Sequence, residues 1–561
     1  MAAAHVDAVV VGSGFGGSVL AYRLAEAGKS VCVLERGKPY PPGSFPRSPR
    51  QLARAFWDPS EGLYGMFSLW SFRGLGALVS SGLGGGSLIY ANVLLRKDER
   101  WFVQEDLADG GYEHWAVSRA DLDPHYDRVE RMLNAQRYPF DRPPFSGTPK
   151  TAAFKEAAGA LGREWMLPPL AVTFANDGEE PAVGEPIREE HPNLHQAQRF
   201  TCRLVGECDI GCNYGSKNTL DFNYLSAAQR HGADIRTLCE VRSFAPREGG
   251  GYVVRYVAHD PADEGRKLDT RDPSVRPERE VTCDRLVLSA GTLGSTYLLL
   301  RSREAFPGLS ARLGTRFGGN GDLLTFALKA KHPDGSARPL DAEYGPVITS
   351  AIRVPDAVDG GEGRGFYVED AGYPLFMSWI VHATQGPGAL WRWRRIAARI
   401  VFSLLRRRPE VDLSAEVSEL LSDTRASAGS VPLLGMGRDV PDGRMTLVDG
   451  KLDVDWVKGK SGPFFDRLRD FSEQIADALG AEFRENPTWY LGRLVTVHPL
   501  GGCPLGRSAE EGVVDSYGEV FGYPGFTIAD GSVMPGPVGP NPSLTIAALA
   551  DRFADRATGN A

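Results

Sequence analysis

The chain has 561 residues, 42% of them hydrophobic and 24% charged, with a formal net charge of -8. That length allows a sizeable core and more than one domain, and the mild acidity excludes a general nucleic-acid binder, which carries a basic face. No stretch reaches the roughly 18 apolar residues of a membrane span, no leader with a charged start and cleavage site precedes Val6, and seven cysteines, an odd number, do not make a disulfide framework. A cytoplasmic, reducing setting is the expectation. Glycine is in excess at 66 residues, which suits a backbone that repeatedly approaches a bound group, and equally suits a loop-rich protein.

Residues 6–11 (VDAVVV) are a β-branched run suited to a buried parallel strand. Gly12, Gly14 and Gly17 follow in G-x-G-x-x-G spacing, with Phe15 and Gly16 inside the motif. Residues 18–27 place Leu20 and Leu24 on one helical face, Gly28 stops that helix, and residues 31–34 (VCVL) form a second strand that runs into Glu35. The spacing assigns roles. Gly12 makes the turn, Gly14 admits a pyrophosphate to the backbone, and Gly17 lets the helix lie close to the strand. The helix start faces the phosphates, and Glu35 accepts hydrogen bonds from ribose hydroxyls. This is a dinucleotide site, and it does not separate FAD from NAD.

Residues 82–92 (GLGGGSLIYAN) hold four glycines in five positions. Gly84, Gly85, Gly86, Ser87, Tyr90 and Asn92 are candidate contacts to a flat ring or diphosphate, although such a stretch also reads as a flexible loop. It contains no His or Cys, so a covalent flavin link is not expected there. Residues 286–289 (LVLS) read as a buried strand that runs into Ala290 and Gly291, then a helix over 296–301. This is a second strand-to-helix crossing against the same ligand, or an ordinary turn.

The C-terminal part carries HPLGGC at 498–503, FTIADGS at 526–532 and GPNPSLTIA at 539–547. HPLGGC, IADGSVMP and GPNPSLTIAALADR, with GSGFGGS and GLGGGSLIYAN upstream, resemble the signatures of the GMC (glucose–methanol–choline) oxidoreductases. GGGSLxYAN, GCxxGxKNTL (211–220) and HPLGG resemble the bacterial cholesterol-oxidase-like branch. The motifs come in the family order over residues 8–556, and 100–200 and 330–490 match only in patches. The resemblance implies non-covalently bound FAD and a His/Asn pair at the flavin, His498 and Asn541.

The chemistry agrees with that assignment. Hydride transfer from an alcohol carbon needs the hydroxyl proton to leave, and an imidazole accepts it near neutral pH. A satisfied structural histidine is the alternative for His498. Asn541 can bond the same oxygen, and reads also as an N-cap with Pro542 at the first helical position. The positive end of that helix suits charge developing on a reduced flavin. Asp530 and Gly531 are assigned to ribityl or diphosphate contact, with turn capping as the alternative for Asp530. Glu369, in FYVEDA at 366–371, resembles the active-site glutamate that moves a proton in Δ5-to-Δ4 isomerisation; an exposed strand-end acid is the other reading. Asn320, in GGNGD, resembles a family turn beside the active site. The chain departs from the family at Tyr90, where an Asn is usual, with Asn92 two positions on. That bears on steroid specificity more than on flavin chemistry.

Cys202, Cys208 and Cys212 are one thiol short of a ferredoxin-type run, Val205 taking the missing place, so no metal is expected. Residues 390–408 contain seven arginines, two tryptophans and no acid; they read as an interfacial helix on anionic lipid, or as a surface helix packed on the second domain. Residues 185–193 and 260–280 are polar loops. Motifs for one cofactor near the start, middle and end require a discontinuous FAD-binding domain, 1–100, 200–325 and 490–561. A connecting or cap region is placed at 101–199 and a substrate-binding domain at 326–489. The expected class is α/β, a Rossmann-like domain plus an α+β substrate domain with an antiparallel sheet. By resemblance, the activity expected is oxidation of a lipophilic secondary alcohol of 3β-hydroxysteroid type by hydride transfer to FAD, with isomerisation by Glu369. The alternatives are a dehydrogenase of a non-steroid alcohol using a quinone or protein acceptor, and a non-redox flavoprotein lyase or isomerase. The acceptor, O2 or another, and the oligomeric state stay open.

Overall fold

The computed structural model describes residues 4–106, 112–268, 276–373, 429–486 and 493–559. The basic segment 390–408 lies outside the described residues.

The first sheet has seven strands, four of which run parallel in the order Asp234–Arg236, Val31–Leu34, Ala4–Val11, Glu278–Leu288. Buried Val and Leu fill both faces, Val9, Val10, Val33 and Leu286 having no exposed surface, as expected of strands covered on two sides. The strand Glu278–Leu288 is shared. Its last three residues pair in parallel with Phe526–Ile528, while its first half pairs antiparallel with Tyr252–Ala258, itself paired to Cys239–Pro246. This pairing draws residues 278–280 out of the expected 260–280 loop and into the sheet.

Helix Phe15–Glu26 begins inside the glycine motif, three residues earlier than the hydrophobic spacing suggests, and Gly291–Arg301 begins five residues before the expected 296. In both cases small residues let the first turn start directly at the strand end. Helices Phe15–Glu26, Ser543–Thr558 and Arg119–Met132 pack together. Arg23 donates to Asp551 and, at 2.7 Å, to Asp555, while His125 Nδ1 lies 2.7 Å from Asp551.

The topology explains how distant motifs meet. Glu35, the turn of Gly12 and Gly14, Ala290 with Gly291, and Asp530 each follow the carboxyl end of a parallel strand. Ligands of such sheets bind at that edge.

The second sheet has six antiparallel strands in the order Glu164–Met166, Ala351–Val354, Phe366–Asp370, Val431–Gly437, Leu323–Leu328, Glu482–Glu485. Its edge strand Glu164–Met166 comes from the 101–199 stretch. Helix Gly462–Ala478 covers one face, burying Phe464, Phe465, Leu468 and Phe471 in one cluster with Phe366 and Val368. By alternation Tyr367 and Glu369 point to the opposite face.

Among the described residues no helix is long and apolar enough to cross a membrane, and no group of His, Cys, Asp and Glu could hold a metal ion. Cys202 and Cys208 are free thiols in an apolar cluster with Tyr138, Phe145 and Phe174.

Candidate active site

A cavity of about 790 Å³ runs along the carboxyl edge of the parallel sheet, from Glu35 and Arg36 past Gly14, Gly86 and Gly291 to His498 and Asn541. The glycines divide into two groups. A Cβ on Gly12 (φ +93°) would stand 2.2 Å from the Ser289 carbonyl oxygen, one on Gly16 would overlap the Ala529 carbonyl, and one on Gly17 would stand 2.1 Å from the Gly12 carbonyl oxygen. These three permit strand, helix and crossing loops to touch. Gly14 differs: nothing lies within 4 Å of a Cβ placed there, so its backbone is open to a ligand. Gly85 (φ +53°) backs onto it, with a Cβ only 2.6 Å from Gly14 Cα.

Glu35 is oriented by the protein's own donors. Its Oε2 accepts from the Ser13 main-chain N–H at 3.0 Å and hydroxyl at 2.6 Å, and its Oε1 accepts from Gly37 N–H at 2.8 Å. Ser87 donates to the Gly84 carbonyl at 2.7 Å and accepts from Leu220 N–H at 3.1 Å. Gly17, Gly84 and Ser87 are not part of the cavity wall. They shape the loops, and the hydroxyl of Ser87 is already spent on backbone. Asp530 combines both of its readings: it accepts from Ser532 N–H at 2.8 Å and from the Ser295 hydroxyl, and it lines the cavity together with Gly531.

Tyr90 and Asn92 are placed differently at the second glycine stretch. The Tyr90 hydroxyl donates to the Asn218 carbonyl at 3.2 Å, and its ring stands edge-on to Phe15 at 5.3 Å. Asn92 is fully buried at φ +72°, lines the cavity, and has no hydrogen-bond partner on either amide atom among the described residues. Buried amides are rarely left so, and this one is placed to bond a group bound in the cavity. An open glycine backbone, an oriented carboxylate and an unpartnered amide along one long cavity fit FAD. The group would be held by the backbone of 12–16, Glu35, Gly85, Gly86, Asn92, Ala290, Gly291, Asp530, Gly531 and Pro542.

At the far end His498 sits between the strands Leu494–Thr496 and Leu500–Gly502. Its Nδ1 lies 2.7 Å from Asp322 Oδ1. Asp322 Oδ2 accepts from the main-chain N–H groups of Val497 and His498 at 2.8 and 3.0 Å, with the Thr496 hydroxyl at 2.8 Å. Asp322 is thus a site residue that the GGNGD motif did not single out. Asn320, by contrast, is clipped to the loop before Asn541, donating to the Pro540 carbonyl at 3.1 Å and accepting from Gly539 N–H at 3.0 Å. It shapes the site from outside the cavity wall.

Asn541 lines the cavity, donates through Nδ2 to Glu369 Oε2 at 3.4 Å, and has no partner for Oδ1 among the described residues. The N-cap expected of Asn541 is not formed. Pro542 is the cap residue and no side chain caps helix Ser543–Thr558, which begins one residue later than the capping pattern places it. Glu369 has no exposed surface and lies behind Asn541, outside the cavity wall. This excludes the exposed strand-end reading, and burial pushes its carboxyl up to about 8. The neighbouring Asp370 is structural, accepting from Thr349 and Ser350 N–H at 2.9 and 2.7 Å. A second carboxyl that motif reasoning missed, Asp209, does line the cavity and is pushed up by burial to about 6. Leu324, Phe326, Val347, Ile348, Pro432 and Leu434 give this end an apolar wall.

A family model for GMC oxidoreductase matches residues 443–550, and one for FAD dependent oxidoreductase matches residues 7–151. The cholesterol oxidase of Mycobacterium tuberculosis is 32% identical over 98% of this chain and 90% of its own length. That of Acinetobacter baumannii is 28% identical over 97% of this chain and 93% of its own. In solved structures, pyridoxine 4-oxidase from Mesorbium loti shares the fold at a TM-score of 0.54, with 17% identity and 98% of each chain covered. Near-full-length similarity and a cavity built for a flavin dinucleotide lead to one conclusion: the chain belongs to the GMC oxidoreductases, in the branch of the bacterial cholesterol oxidases, and is an FAD-dependent oxidoreductase of alcohols.

Proposed function

We propose that the protein oxidises a lipophilic secondary alcohol of 3β-hydroxysteroid or sterol type, with His498 taking the hydroxyl proton. One observation carries this reading: an imidazole anchored at Nδ1 lies in the same cavity wall as the apolar side chains at the flavin end. Bound FAD supplies the hydride acceptor. The substrate oxygen would lie between His498 Nε2 and Asn541, which fix its position so that the O–H proton leaves as the carbinol hydride departs. The apolar wall suits a rigid hydrocarbon body, and the names of the most similar relatives support a sterol.

Isomerisation of a Δ5 ketone to the Δ4 product belongs to the same proposal. A carboxyl that is half-protonated at about 8 both takes and returns a proton near neutral pH. Because Glu369 stands behind Asn541, the amide must swing aside for this step. We assign O2 as the acceptor, and 1–100, 200–325 and 490–561 as the FAD-binding domain with 326–489 as the substrate-binding domain.

Rapid anaerobic mixing of the yellow holoenzyme with sterols, aliphatic alcohols and sugars tests the reading. Sterols should reduce the flavin fastest, and in air stoichiometric H2O2 should form. Reduction by sugars alone would defeat the substrate assignment, and dye reduction without H2O2 would replace O2 by a quinone or protein.

A further inference from the structure

We infer that Asp322 is the positioning residue that holds the His498 imidazole as its Nδ1–H tautomer and keeps Nε2 as the proton acceptor facing the cavity. The inference rests on the alcohol-oxidation reading above.

The argument is one of donors and acceptors. The two Asp322 oxygens are met by the His498 ring and by two main-chain N–H groups, the ring at 2.7 Å and the amides at 2.8 and 3.0 Å. An acceptor so placed requires the facing ring nitrogen to carry the hydrogen. Neutral imidazole has one N–H, so the other nitrogen, Nε2, presents its lone pair. When the substrate O–H breaks, Nε2–H forms and the hydride leaves with its electron pair for the flavin. The resulting imidazolium then faces Asp322.

The setting is built to hold that acceptor in place. Asp322 is 6% exposed. The turn that carries it is tied down by the Asp439 carboxylate, which accepts from Gly319 N–H at 2.8 Å, and by Asn320, which bonds the loop of Asn541. Gly321 (φ +69°) leaves no room for a side chain, a Cβ there standing 2.5 Å from the Phe464 ring. The other acids close to this pair are Glu369 from the antiparallel sheet, Asp439 just after the strand Val431–Gly437, and Asp209 from the turn Cys208–Ile210. Burial pushes these three up, to about 8, 7 and 6. Among the described residues none of these three hydrogen-bonds the imidazole, so their partial charge cannot choose its tautomer as Asp322 does.

The test compares Asp322→Asn and Asp322→Glu with wild type as holoenzymes, reading anaerobic flavin reduction by the best alcohol across pH 5–10. In Asp322→Asn the amide oxygen keeps the main-chain donors and its NH2 then faces Nδ1. The ring proton moves to Nε2 and the base is lost. The plateau rate should fall by about 10²–10⁴-fold, and the pH at which reduction turns on should move down, because a negative neighbour of the imidazolium is gone. Asp322→Glu should keep the wild-type onset with a plateau within about tenfold. A purely structural role would lower FAD content and leave the onset alone. If Asp322→Asn fails to retain FAD while Asp322→Glu retains it with unchanged kinetics, the role is structural and the inference is overturned. Wild-type plateau and onset in Asp322→Asn overturn it as well. If wild type is reduced by no alcohol, the underlying reading has failed; if wild type works, His498→Gln does not and Asp322→Asn is unaltered, the inference alone has failed.

Discussion

Replacing Glu369 with glutamine removes a carboxyl that the fold holds in its neutral form, and the consequence is a stability difference that grows with pH. The carboxyl has no exposed surface, its Oε1 has no partner among the described residues, and burial raises it from 4.5 to about 8. The sign follows from proton counting. Between 4.5 and 8 the folded protein binds the proton more tightly than the unfolded chain, so the contribution of Glu369 is fully present below 4.5 and is lost as pH rises to about 8. At ~1.4 kcal/mol per unit, the loss between pH 6 and pH 9 is about 2–3 kcal/mol. Glutamine does not titrate. Relative to wild type, Glu369→Gln should therefore gain about 2–3 kcal/mol between those two pH values, whatever its offset at pH 6. Urea unfolding of the FAD-replete proteins at pH 6 and pH 9, with the slope measured for each, reads the difference. Parallel behaviour of the two proteins across that range would refute a neutral, buried Glu369.

The two glycine groups make opposite predictions. Gly17→Ala should lower the melting temperature by several degrees, since its methyl meets the Gly12 carbonyl, whereas Gly14→Ala should leave the apoprotein stable and weaken FAD binding at least about tenfold; calorimetry and FAD titration separate them. His498→Gln should slow flavin reduction by about 10²-fold or more with FAD still bound, checked by stopped-flow absorbance. Leu434→Ser, in the apolar wall, should raise KM for a sterol several-fold while FAD content is unchanged, since about 1–2 kcal/mol of apolar contact is lost; steady-state kinetics would show it.

Much of the cofactor site was legible because its chemistry is local. Each glycine near the start has a role fixed by a neighbour one turn or one strand away, and the strand ends at Glu35, Ala290 and Asp530 could be read from short apolar runs. What those runs did not disclose was which glycines and serines face the ligand: Ser87 sits in the motif, yet its hydroxyl serves Gly84 and Leu220. The proton site was only half legible. His498 and Asn541 stand in recognisable stretches, but their partners lie 176 and 172 residues away in sequence. No periodicity connects Asp322 to His498, and nothing local told whether Glu369 was exposed. Asn541 shows the same limit in reverse. Its position before Pro542 is a sound capping signal, yet the helix starts at Ser543, Pro542 takes the cap position, and the Asn541 amide turns to Glu369 instead.

Anaerobic titration of the FAD-bound protein with a 3β-hydroxysterol, followed through the oxidised-flavin absorbance, tests the central claim most directly. Loss of that band with one equivalent of sterol, and its persistence in His498→Gln on the same timescale, is the predicted result. Holoenzyme that stays oxidised with sterols and every other alcohol, or a His498→Gln variant bleached as fast as wild type, would contradict it.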